Sequence, residues 1–255
     1  MNKAFKEIRP EQISSGSDIG KKRKNNEDIA YAGLSQYGLL LYICDGMGGH
    51  RKGEVASKII SDILSLSFSR NRHVFKPKIA RKFALKCLNR ANGEIYKHAI
   101  AGGEDYKDMG STAVVAIVCE EETYIVSIGD SRCYTYSKHE GLVQRTIDQT
   151  YVEFLYEMGK ITRSEMETHP QKNLLINVVG INSELSNVQD SVIPNDSYDV
   201  IMLCSDGLYN MVKADVIKSV LADESLTPAQ MTKILIDKAL ENGGSDNIAV
   251  SIFKK

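Results

Sequence analysis

The sequence predicts an α+β fold in which two layers of antiparallel sheet are covered by helices. Helical periodicity lies towards each end of the chain, whereas residues 111–147 and the closing segment 248–253 carry strand pattern. At 255 residues and 42% apolar content the chain can bury a large core, and no repeat, low-complexity tract or linker divides it. A single domain over residues 1–255 is expected.

The elements follow in order. Strand pattern covers 11–15 and 29–34, then the apolar run Leu39-Leu40-Leu41-Tyr42-Ile43-Cys44. Residues 53–68 repeat Val55, Ala56, Ile59, Ile60, Ile63 and Leu64 on one helical face. A second helix starts at Pro77, with proline suited to the first turn, and buries Ile79, Phe83, Cys87, Leu88, Ala91 and Ile95. Period two then predicts a meander of strands at 113–119, 123–128, 131–137 and 142–147. Residues 149–173 are polar and helix-leaning, with short helices at 151–158 and from Ser164. Strands return at 185–193 and 198–205. A helix from Met211 to Leu221 and another capped by Thr227-Pro228 precede the last strand.

The formal net charge of −1 argues against a nucleic-acid or membrane-surface partner, which would call for a basic excess. No apolar run reaches the length of a membrane span, and residues 1–10 carry no hydrophobic signal region. The five cysteines (Cys44, Cys87, Cys119, Cys133, Cys204) are odd in number and form no C-x-x-C pair, so they read as buried free thiols. A cytoplasmic protein is expected. The basic stretch 70–82 reads as a solvated helix entrance.

Chemistry concentrates where apolar strands meet aspartate. Leu39 to Cys44 runs into Asp45-Gly46-Met47-Gly48-Gly49-His50, and Val200 to Ser205 into Asp206-Gly207. Tyr124 to Gly129 delivers Asp130, and Gly243-Gly244-Ser245-Asp246-Asn247 opens the last strand. A lone Asp-Gly is usually a hairpin turn. Here neither Asp-Gly is followed by a strand at hairpin spacing, and the four sites together suit a centre of hard oxygen ligands for Mg²⁺ or Mn²⁺. Upstream, Arg23 stands ahead of Asn26-Glu27-Asp28. A guanidinium is the natural clamp for phosphate, and Glu27 and Asp28 suit the ordering of water beside a metal.

Six segments occur here in the order of one family: Gly20-x-x-Arg23-x-x-Asn26-Glu27-Asp28, Asp45-Gly46-Met47-Gly48-Gly49, Gly110-Ser111-Thr112, Gly129-Asp130-Ser131-Arg132, Ser205-Asp206-Gly207 and Ser245-Asp246-Asn247. From residue 17 to 253 the chain resembles the metal-dependent protein serine/threonine phosphatases of the type 2C class, in their compact bacterial form. The resemblance implies a four-layer α-β-β-α sandwich with the active site at one end. It implies two Mn²⁺ or Mg²⁺ ions bridged by Asp45, with the Gly46 carbonyl on one and Asp206 and Asp246 on the other. Asp130 with Asp206 would match a weaker third site, Glu27 would hold a metal-bound water, and Arg23 would bind the substrate phosphate. Hydrolysis would proceed by direct attack of a metal-bridging hydroxide on phosphoserine or phosphothreonine. The implied partners are phosphorylated proteins, a serine/threonine kinase and its substrates, with no nucleic acid or membrane, and the protein a monomer.

Met47 stands where many relatives carry a proton-donating histidine, and His50 is the nearest alternative, with a metal-bound water as the other. Residues 149–185 resemble the family's flap. Asp148-Gln149-Thr150 replaces the usual Asp-His-Ser, which bears on substrate preference and not on the ligands. A phosphoprotein-binding module without turnover would have lost a metal aspartate; none is lost. A phosphatase dedicated to one regulatory partner is the other alternative, against which the lack of an appended sensor domain weighs.

Overall fold

Residues 39–43 are fully buried on both alternating faces, so the strand that carries them lies in the middle of the molecule. Burial of each such side chain contributes about 1.5–3 kcal/mol. The computed structural model describes residues 8–48, 52–106 and 108–255. In chain order it contains β1 (Ile13–Asp18), β2 (Asp28–Ser35), β3 (Gly38–Met47), α1 (Lys52–Arg70), α2 (Pro77–Gly102), β4 (Gly110–Ser111), β5 (Ala113–Val118) and β6 (Glu122–Ile128). There follow β7 (Arg132–Ser137), β8 (Gly141–Gln144), α3 (Tyr151–Glu157), α4 (Arg163–Thr168) and β9 (Gln189–Pro194). The chain closes with β10 (Val200–Cys204), α5 (Asp206–Tyr209), α6 (Ala214–Ala222), α7 (Pro228–Glu241) and β11 (Ile248–Lys254).

Two antiparallel sheets result. One has the order β2-β3-β5-β6-β9, with β4 paired to the end of β3; the other has the order β1-β11-β10-β7-β8. Alternation along β3 divides its side chains between two cores. Leu39, Leu41 and Ile43 pack between the sheets against Ile201, Leu203 and Phe253. Leu40 and Tyr42 pack outward against Ile60, Leu64 and Leu88 of α1 and α2. On the far side Met202, Val250 and Ile252 meet Ile217, Leu221, Met231 and Leu235 of α6 and α7. Three cores between four layers make the expected α-β-β-α sandwich. All five cysteines are free and buried.

The expected meander is corrected. β5 and β6 pair in one sheet, whereas β7 pairs with β10 in the other, so the chain crosses between sheets at Gly129-Asp130-Ser131. Gly129 has φ 96°, and that left-handed backbone turns the chain out of one sheet. Other boundaries shift by a few residues. The first strand follows a 3₁₀ turn at Pro10–Gln12, β8 ends at Gln144, and β9 begins at Gln189. The helix expected from Met211 starts only at Ala214 of α6; Met211 and Val212 lie in a bend after the single turn α5, and Lys213 is extended. Val55 and Ile79, assigned to buried faces, are each 40% exposed because the buried faces run through Ala56, Ile60 and Leu64 on α1 and through Ala80, Ala84 and Leu88 on α2, which turns these two side chains outward. The Thr227 cap forms as expected, its hydroxyl accepting from the Gln230 N–H while the Gln230 side chain returns a bond.

Candidate active site

Asp28 and Asp45 are cross-strand partners on β2 and β3. Directly opposed carboxylates repel, and Asp28 is buried while Asp45 is half-buried. The backbone of β3 is held rigidly here: the Asp45 N–H donates to Thr112 Oγ1 at 3.1 Å, and the Asp45 carbonyl accepts from the Thr112 N–H at 2.8 Å and from Ser111 Oγ at 3.0 Å. Gly46 follows because α1 starts directly above it; a Cβ on Gly46 would lie 2.1 Å from the Gly53 carbonyl oxygen. Asp28 Oδ2 is buried with no hydrogen-bond partner. A buried carboxylate oxygen without a donor is costly unless a cation serves it.

From the other sheet, Asp206 opens α5 and Asp246 precedes β11. These two segments interlock at Gly207, where a Cβ would lie 1.9 Å from the Asn247 carbonyl oxygen. Asp246 Oδ2 accepts from Arg23 at 2.7 Å. The Arg23 loop itself is pinned by Asn247, a residue the sequence reading quoted in a motif but gave no role. Its Oδ1 accepts from the Glu27 N–H at 2.9 Å, and its Nδ2 donates to the carbonyls of Ile19 at 2.8 Å and Asn25 at 3.0 Å. One buried carboxamide therefore ties Arg23 and Glu27 to the Asp246 strand.

Asp130 stands at the crossing between sheets, 6% exposed, and the Tyr209 hydroxyl donates to its carbonyl at 3.1 Å. Beside it Arg132 forks onto Asp148 at 2.6–3.1 Å, donates to Tyr134 Oη at 2.9 Å and stacks 3.5 Å from the Tyr209 ring centre. Gln149, where the resemblance led to an expectation of histidine, sits at the same crossing. It closes the crossing by accepting from the Gly129 N–H at 2.9 Å and donating to the Asn187 carbonyl at 2.5 Å.

The cluster is short of positive charge. Burial first, and then the Asp206 and Asp246 charges, push Asp28 up to about 7. Burial and Asp206 push Asp130 to about 8; burial and Asp246 push Asp206 to about 6. Asp45 is raised well above the usual range by burial and by Asp28, Asp206, Asp130 and Asp246. Carboxylates from five separate stretches thus act on one another within one site. Burial likewise raises Glu27, against the pull of Arg23. Among the described residues no three Asp, Glu, His or Cys side chains gather closely enough to hold an ion by themselves. Mg²⁺ characteristically takes one or two carboxylates and keeps several waters, so this all-oxygen set of paired aspartates fits a hydrated divalent ion.

The structure thus brings together Arg23, Glu27, Asp45, Gly46, Asp130, Asp206 and Asp246. Asp28, proposed from sequence only to order water, proves to be the buried partner of Asp45. His50 lies outside the described residues. A cleft of about 630 Å³ opens beside Asp130, lined by Arg132 and Asp148, by Glu153 of α3, by Arg163 and Met166 of α4, and by Lys213.

The protein phosphatase 2C family model matches residues 16–240. A serine/threonine phosphatase of Listeria monocytogenes, stp, is 32% identical over 240 residues, 94% of each chain. The structure of serine/threonine phosphatase Stp1 from Staphylococcus aureus superposes with a TM-score of 0.87 at 33% identity, covering 95% of this chain and 94% of the other. The catalytic domain of the serine/threonine protein phosphatase PstP, solved with two manganese ions, gives 0.79 at 30% identity, covering 95% and 96%. With its six motifs on one sandwich edge and a family match over most of its length, this chain belongs to the protein phosphatase 2C family.

Proposed function

We propose that the chain is a metal-dependent phosphatase that removes phosphate from serine and threonine in proteins and so opposes serine/threonine kinases. The observation that carries this reading is the convergence of buried and half-buried aspartates from both sheets, with the Arg23 guanidinium paired to Asp246 at their edge. Asp45, the Gly46 carbonyl, Asp206 and Asp246 would hold two Mn²⁺ or Mg²⁺ ions, and Asp130 with Asp206 would supply a weaker third site. Bound divalent ions supply Lewis-acid chemistry, acidifying water for attack and offsetting phosphate charge.

The chain's own groups do the rest. Asp28 and Glu27 orient water at the floor of the site. Arg23, half exposed and paired with Asp246, exchanges an exposed ion pair for a phosphate at little cost. Its planar fork then balances charge on the phosphoryl oxygens as they leave the substrate hydroxyl. Asn247 keeps that guanidinium in register with Asp246. The cleft beside Asp130 accommodates the peptide that flanks the phosphorylated residue. The partners are a kinase's phosphorylated substrates and the kinase itself, and the enzyme acts as a monomer.

The test is phosphate release from a phosphothreonine peptide with Mn²⁺, with Mg²⁺ and with EDTA. Metal-dependent release that vanishes in Asp206→Asn supports the reading; release that persists in EDTA or in the variant refutes it. Arg23→Ala should raise KM roughly tenfold or more, the loss expected for a charged hydrogen bond.

A further inference from the structure

The net charge of −1 conceals a separation of charge. Residues 70–97 hold nine of the 32 basic residues and one of the 33 acidic ones, which leaves 23 basic against 32 acidic in the remainder. All nine cations are exposed. On α2, Lys78, Lys82, Lys86, Arg90 and Lys97 face away from the buried Ala80, Ala84, Leu88 and Ala91, whereas Arg81 flanks that face and reaches Asp190. Lys78, Lys82, Lys86 and Arg90 repeat every four residues along one outward ridge about 18 Å long.

The fold does not need this ridge and is penalised by it. Cations four residues apart on a helix repel each other. The first turn of α2 has no acidic residue, so its lysines meet the positive end of the helix dipole unopposed. Arg81 and Arg90 find acids in Asp190 and Glu94, but Lys78, Lys82 and Lys86 have none among the described residues. Helix α1, by contrast, pairs Lys58 with Asp62.

The ridge is also remote from the aspartates. Its entry is anchored to the turn between β2 and β3, where the Phe75 N–H donates to the Tyr37 carbonyl at 2.9 Å. That is the opposite end of β3 from Asp45, roughly 23 Å along the strand.

We propose that the outer face of α2 is a docking surface for an anionic lipid bilayer. The ridge is convex and linear. The groove beside it, between α1 and α2, has Asp62 and Glu94 on its rim as well as Arg70 and Arg90, and so offers an acidic peptide no net attraction. A flat anionic surface meets the lysines together, and Ile79 and Ile100 on the same helix face, 40% and 63% exposed, enter the interface. No helix among the described residues is long and apolar enough to cross a membrane, so attachment is peripheral and sensitive to salt. The sequence-based expectation of no membrane partner rested on an averaged charge. A bilayer under α2 leaves the aspartate end of the sandwich open to phosphoproteins.

The experiment is co-sedimentation of the full chain with phosphatidylcholine vesicles and with vesicles containing phosphatidylglycerol, at about 0.1 M salt, where charges reach about 10 Å, and at about 1 M, where they reach about 3 Å. Binding to anionic vesicles alone, lost at high salt and reduced at least tenfold in Lys78→Glu/Lys86→Glu, supports the proposal. That variant creates alternating i,i+4 pairs and places an acid in the first turn, so its melting temperature should hold or rise. Its hydrolysis of a small soluble phosphoester should be unchanged. Absence of anionic-vesicle binding at low salt, or equal binding by the variant, overturns the proposal. Retention of polyglutamate without vesicle binding also overturns it and assigns the ridge to an acidic protein.

Discussion

Asn247→Ala isolates the link between the phosphate loop and the aspartate cluster. The wild-type side chain is 5% exposed and makes three hydrogen bonds of 2.8–3.0 Å to Ile19, Asn25 and Glu27. At a net value of about 1 kcal/mol each, their loss weakens the loop by about 3 kcal/mol. If the cost is felt by the whole domain, the melting temperature falls by about 6–12 °C, at 2–4 °C per kcal/mol for a chain of this size. If the loop opens by itself, the melting temperature moves little and the fraction of Arg23 in place falls instead. KM then rises roughly tenfold to a hundredfold, more than kcat falls. Thermal melting and steady-state kinetics on a phosphothreonine peptide separate these cases. Asn247→Asp retains the acceptor for Glu27 but sets an anion against two carbonyls, so it should be no better than alanine. Wild-type melting and wild-type KM in the alanine variant would refute the reasoning. Full function in the aspartate variant would show that the donated bonds do not hold the loop.

The metal-free protein should lose stability as pH rises. Asp206, Asp28 and Asp130 are raised from 3.8 to about 6, 7 and 8, so the folded state binds their protons more tightly than the unfolded chain. Their contribution is fully present below about 4 and is lost as pH passes through 6 to 8. Melting in EDTA should therefore fall between about pH 5.5 and 8.5, with Mn²⁺ raising it most at the upper end; an equal Mn²⁺ effect at both ends would contradict this. Arg132→Ala leaves Asp148 in a site only 11% exposed without its partner and should cost about 3–5 kcal/mol in urea unfolding. Arg132→Lys should recover only part of that, because an ammonium cannot fork onto Asp148 and stack on Tyr209 together. A lysine variant as stable as wild type would show that the fork and stack contribute nothing.

What the sequence made legible was either local or doubly constrained. Thr227-Pro228 announces a helix start because the cap and its returning Gln230 lie within one turn. The run at 39–44 reads as a central strand because both of its faces are apolar. Asp45, Asp206 and Asp246 are recognisable because each follows or opens such a strand in a fixed small-residue setting. The crossing at Asp130 was not legible. Strands β5, β6, β7 and β8 share one periodicity, and only the pairing of β7 with β10, far along the chain, places them in different sheets. The break before α6 was hidden for a similar reason. Met211 and Val212 keep helical spacing, yet the Met211 carbonyl accepts a bond from Asn242, which the spacing cannot reveal.

By itself, then, the sequence determined most element types, the ordered motifs and the chemical character of the candidate site residues, since these depend on side-chain chemistry and neighbours within a few residues. Tertiary structure decided which carboxylates face each other. The opposition of Asp28 and Asp45, the anchoring of the Arg23 loop by Asn247 and the stacking of Arg132 on Tyr209 join positions distant in the chain. It also decided that Lys78, Lys82, Lys86 and Arg90 line up on one outward ridge of α2, three of them without an acidic partner among the described residues. Composition sums charge, whereas the fold assigns each charge a direction, and electrostatic attraction depends on that direction.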